Sequence, residues 1–62
     1  MKVRMLKPRL RQAKGNEYER GVFLPAGDYL VDNEYKGLGY VVFTDRGLKN
    51  RTIITYEEGG LL

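Results

Sequence analysis

Asp28, Asp32 and Glu34 are the acidic side chains whose spacing could support chemistry. On an extended strand, residues two or four apart point the same way, so the three carboxylates would share one face. Paired carboxylates can divide acid and base roles, and a cluster can hold Mg²⁺. The stronger reading is a solvated strand face that meets basic residues across a sheet. Other catalytic equipment is missing. The chain has no Ser, His or Cys, so Ser–His and Cys–His arrangements cannot form and the best zinc ligands are absent. Thr44, Thr52 and Thr55 carry the aliphatic hydroxyls, and all three suit strand positions. Gly37-Leu38-Gly39 is a glycine pair at a turn rather than a phosphate-binding loop. The expectation is a protein that is not an enzyme, with no metal and no cofactor.

The cations are more unevenly placed than the acids. Residues 1–14 carry Lys2, Arg4, Lys7, Arg9, Arg11 and Lys14 and no acid, a charge of +6. The other residues carry five bases and eight acids, −3, so the net is +3. A basic segment joined to a mildly acidic body is the layout of an anion-seeking surface, or of an arm that pairs with its own acids. Seven aromatics accompany these charges: Tyr18, Phe23, Tyr29, Tyr35, Tyr40, Phe43 and Tyr56. Phe23 and Phe43 are expected in the core. Five tyrosines exceed what a tiny core can bury with every hydroxyl satisfied, so some must line a surface. Tyrosine beside Lys and Arg can stack bases and pair phosphates, and the same residue types make protein-binding hot spots.

The elements that must position these groups read as strands. Lys2-Val3-Arg4-Met5 alternates, with Val3 and Met5 on one face. Pro8 excludes a central strand, and residues 8–19 read as a loop or an irregular hairpin connection. Val22-Phe23-Leu24 is a short apolar run closed by the turn Pro25-Ala26-Gly27. Tyr29 to Tyr35 alternates again, with Tyr29, Val31 and Tyr35 expected on one face. After the turn at 36–39, Tyr40-Val41-Val42-Phe43-Thr44 is apolar on both faces, which fits a central strand, a barrel interior or a partner-covered strand. Asp45-Arg46-Gly47 turns the chain into Arg51–Tyr56. Glu57-Glu58-Gly59-Gly60 closes that strand, and Leu61-Leu62 is an apolar tail. About five short strands with turns between them predict an all-β fold, a small antiparallel five-stranded barrel or strongly curved sheet.

The stretch Phe23-Leu24-Pro25-Ala26-Gly27-Asp28-Tyr29-Leu30-Val31 resembles the Gly-Asp-containing entry to the second strand of Src-homology-3-like barrels. Gly39-Tyr40-Val41-Val42-Phe43 falls where those barrels place an aromatic-rich third strand, and the resemblance covers residues 22–62. The chain lacks tryptophan and an Ala-Leu-Tyr-like opening strand, so it departs from the peptide-binding members. The resemblance implies a fold, and that fold hosts many unrelated binding functions.

Length bounds the rest. Sixty-two residues make one domain, 1–62, with 1–20 as a basic N-terminal strand and irregular loop. A chain this short needs an efficient core or a partner copy to complete one. No apolar run approaches the roughly 18 residues of a membrane span, and the start lacks the apolar stretch of a signal peptide. The expectation is a whole small gene product, soluble and cytoplasmic, with no membrane association.

Two functions from different classes follow. The first is nucleic-acid binding, with Arg4, Lys7, Arg9, Arg11, Lys14 and Arg20 contacting the phosphate backbone and Tyr18 or Tyr40 stacking bases. The second is a protein-interaction module: a homo-oligomeric structural piece, or a small inhibitor or adaptor of the sort viruses encode. Its interface would be Val41, Phe43, Leu61 and Leu62. The sequence alone places them close, with a slight lean towards nucleic acid.

Overall fold

In a computed structural model of the chain, which describes residues 1–9 and 23–62, the fold is all-β, a five-stranded antiparallel sheet. The strands are β1 (Lys2–Met5), β2 (Gly27–Tyr35), β3 (Gly39–Phe43), β4 (Arg51–Thr55) and β5 (Gly60–Leu61). Their order is β4-β3-β2-β1-β5, so the sheet is not closed and β4 and β5 form its edges. No helix among the described residues is long and apolar enough to cross a membrane.

Alternation explains β1: Val3 and Met5 are buried while Lys2 and Arg4 are exposed. With Leu24, Val42 and Ile54 they form the core, and Tyr29, Val31 and Tyr40 pack against it. A tight turn over residues 36–38 joins β2 to β3, and a longer turn over residues 44–50 joins β3 to β4. At the first, Gly37 takes φ 86°, a conformation that suits glycine, and Leu38 N–H bonds to the Tyr35 carbonyl at 3.0 Å. In the second, the Asp45 carboxylate accepts from the backbone N–H groups of Lys49 (2.9 Å) and Asn50 (3.1 Å) and from the Asn50 amide. That brace holds the turn in which Leu48 takes φ 57°.

Two elements differ from the sequence reading. Val22-Phe23-Leu24 is no strand as far as it is described. Phe23 is 60% exposed rather than in the core, and Leu24 is a buried residue in an isolated bridge to Arg9. The remaining strand lies in the tail. Leu61 pairs with Val3, Gly60 with Arg4, and Leu62 N–H reaches the Lys2 carbonyl at 3.0 Å.

β2 serves two neighbours. Residues Gly27–Leu30 pair with β1, and Val31–Tyr35 pair with β3. The register shifts between Val31 and Asn33, and a bulge of this kind turns the following side chains over. Glu34 therefore lies opposite Tyr40, and Tyr35 opposite Gly39. Tyr35 leaves the face of Tyr29 and Val31, and Glu34 leaves that of Asp28. The predicted single faces fail here because strict period-two counting does not survive an inserted residue.

β3 is buried on both faces. Val42 belongs to the core, and its neighbour Val41 is also 2% exposed, lying opposite Ile53 on the reverse face. The two-sided apolar pattern marks a central strand covered within the chain. Gly39 lets β3 and β4 approach closely. A Cβ there would fall 2.1 Å from the Ile54 carbonyl oxygen and 2.6 Å from the Thr55 Cα.

Candidate functional site

Two stretches of chain, residues 4–9 from the second half of β1 onward and residues 57–60 from the turn after β4 to the start of β5, line a cleft of about 620 Å³. Its lining begins with a turn. Thr55-Tyr56-Glu57-Glu58 has the Thr-x-x-Glu spacing of a capping box. Glu58 N–H reaches the Thr55 hydroxyl at 3.3 Å, and the Glu58 carboxylate accepts from the Thr55 backbone N–H and hydroxyl, both at 3.0 Å. Glu58 and Gly59 N–H groups also bond to the Thr55 carbonyl. The chain then reverses at Gly59, where a Cβ would lie 2.8 Å from the Arg4 carbonyl oxygen and 2.9 Å from Val3 Cγ1.

Arg9 joins the two stretches. It was expected to face a nucleic-acid backbone, but its side chain is only 3% exposed. Its guanidinium donates to the Ile53 carbonyl at 2.5 Å, to the Thr52 hydroxyl at 3.0 Å and to Glu58 at 3.4 Å. Its backbone exchanges two hydrogen bonds with Leu24, at 2.8 and 3.0 Å. A buried guanidinium is tolerated only with such partners.

The acidic trio is dispersed. Asp28 takes a two-point contact from Arg4 (Nε–Oδ1 2.9 Å and Nη2–Oδ2 3.3 Å). That hydrogen bond holds the Asp28 carboxyl below its ordinary range and raises the Arg4 guanidinium. Asp32 pairs with Arg51 at 3.1 Å. Glu34 accepts from the Tyr56 hydroxyl, which pushes the Tyr56 phenol above its ordinary value. The described residues contain no group of three His, Cys, Asp or Glu that could hold a metal.

Of the remaining predicted residues, Lys7 lines the cleft and is exposed. Tyr40 is half-buried and packs edge-on against Tyr56, centroids 5.3 Å apart at 86°. It lies opposite Glu34 across β2 and β3 and packs against the core of Val3, Met5, Leu24, Val42 and Ile54. Val41, expected at an interface, is buried inside the chain, and Phe43 is half-buried. Leu61 and Leu62 are exposed. Arg11, Lys14, Tyr18 and Arg20 lie outside the described residues. Sequence reasoning missed Glu57, Gly59 and Gly60 as cleft residues. The capping-box spacing could have marked the turn, but no local pattern says that the tail returns to β1.

Comparison of the chain with protein-family models, with curated proteins and with solved structures finds no match.

Proposed function

We propose that this chain is a small, non-catalytic protein-binding module of Src-homology-3-like architecture that takes an extended stretch of a partner chain in the cleft lined by residues 4–9 and 57–60. The cleft carries this reading. It is open enough for a peptide segment, and Leu6 in its lining is 82% exposed. Among the described residues, Lys7 on one stretch and Glu57 on the other enter no ion pair, so a segment with an apolar residue between an acid and a base would complement both. The strand assignment supports the architecture: Gly27-Asp28 opens the second strand, and Gly39–Phe43 is the third.

The nucleic-acid reading carries less weight. Arg4, Arg9 and Arg51 are engaged by Asp28, Glu58 and Asp32, and their charge is partly neutralised inside the fold. Phosphate recognition needs such heads free for the backbone.

Selection from a random-sequence peptide library, followed by amide chemical-shift mapping, tests the proposal. Enriched peptides should shift residues 4–9 and 57–60, and Lys7→Glu combined with Glu57→Lys should change which peptides are selected. Failure to enrich any peptide, or shifts confined to other residues, would overturn it.

A further inference from the structure

A second cleft, of about 570 Å³, opens at the point where β2 changes neighbours. Lys2–Leu30 is the last register pair of β1 with β2, and Val31–Val42 begins the pairing with β3. The cleft lies beside this fork, with Lys2 on β1 and Arg46 on the β3–β4 turn among its lining residues. Phe43, Leu30 and Leu48 supply its apolar surface, and Leu30 and Leu48 are exposed.

The charges in this cleft do not cancel. Arg4 neutralises Asp28, so Lys2 and Arg46 stand against one remaining carboxylate, that of Asp45, which neutral N–H donors of Lys49 and Asn50 hold in its charged form. Among the described residues, Lys2 and Arg46 enter no ion pair. Two cations, Lys2 near Asp28 and Arg46 on the turn, beside an aromatic and two leucines leave an excess of positive charge that complements a ligand flat and apolar in one part and anionic in another. We infer that this cleft binds a phosphate-bearing planar group of the nucleotide type, with Lys2 and Arg46 on phosphate oxygens and the base against Phe43 and Leu48. Among the described residues the two clefts share no lining residue, so the tests of the two sites are separable.

The test is an amide chemical-shift titration with a nucleoside monophosphate in one arm and a short single-stranded oligonucleotide in the other. The expected shifts fall at residue 2 and at residues 28–30 and 43–48. The Lys2→Ala, Arg46→Ala double variant should weaken binding at least tenfold, whereas Lys36→Ala, an exposed lysine outside both clefts, should leave it unchanged. For two phosphate contacts on a single strand, raising salt from about 50 to 200 mM should weaken the oligonucleotide about sevenfold. Binding of the oligonucleotide alone assigns the phosphate to a strand, and binding of both ligands extends it to free nucleotides. No shift at these residues at low salt, or undiminished binding by a folded double variant, would overturn the inference.

Discussion

Arg9 and Glu58 meet at 3.4 Å across the open edge of β4, one capping an edge carbonyl and the other an edge amide. The hydrogen bonds Thr44 N–H to Asn50 O and Tyr56 N–H to Leu38 O fix which residues of β3 and β4 bond to each other. Tyr40–Ile54 and Val42–Thr52 fall in that set, so Ile53 and Thr55 turn their backbone groups outward. An exposed row of such groups is a template for another chain, and proteins cover it in various ways. Here a buried ion pair lies along it.

Removing the cation should therefore do two things. Arg9→Met keeps the stem but removes the guanidinium donor from the Ile53 carbonyl, the Thr52 hydroxyl and the Glu58 carboxylate, a loss of about 3 kcal/mol by analogy with broken buried pairs. Urea denaturation measures that loss, and light scattering should detect association through the uncovered edge. An unchanged urea midpoint would show the pair to be peripheral.

Gly39 and Gly60 form a contrasting pair. Gly39→Ala places a methyl group against the β4 backbone and should cost about 3 kcal/mol or more. Gly60→Ala meets nothing within 4 Å, and its stability should stay within about 0.5 kcal/mol of the parent. Thermal melts of both variants check the order.

Acid should weaken the fold through Asp28 and Asp45. Both carboxyls are held below their ordinary value of 3.8, Asp28 by Arg4 and Asp45 by the N–H groups of Asn50 and Lys49. A lowered folded-state pKa gives stability that is fully present above the unfolded value and lost as pH falls through the folded one. Melting temperature should thus drop on the acid side of 3.8, and Asp28→Asn and Asp45→Asn should each flatten that limb. A parental profile that is level through that range would contradict the assignment.

Tyr56 should titrate later than an ordinary tyrosine, because its hydroxyl donates to Glu34. Glu34→Gln should bring its ionisation back towards the ordinary range, read as tyrosinate absorbance against pH. The raised phenol also means that the interaction is retained at neutral pH and lost as the solution turns strongly alkaline.

The limits of sequence reading fall at identifiable residues. β1, β3 and β4 were legible because their burial follows alternation or a run of β-branched side chains. β2 was legible as a strand, but its faces were not. The bulge at Val31–Asn33 depends on β2 having different neighbours at its two ends, which no local window records. Arg9 read as a surface cation because charge alone does not reveal an edge carbonyl 44 residues away. Leu61 read as a tail because two residues are too few to carry a periodic signal.

The pairing of Val3 with Leu61 and Arg4 with Gly60 reaches across nearly the whole chain. On a ribosome, β2, β3 and β4 can assemble in order, since short turns join them and each is made just before it is needed. β1 is made before the other four strands, yet its outer side stays unpaired until residues 60–62 have emerged. During synthesis, then, the first of these five strands is the last of them to be enclosed, and any pause before residues 60–62 emerge prolongs the interval in which the nascent chain offers that side to its neighbours.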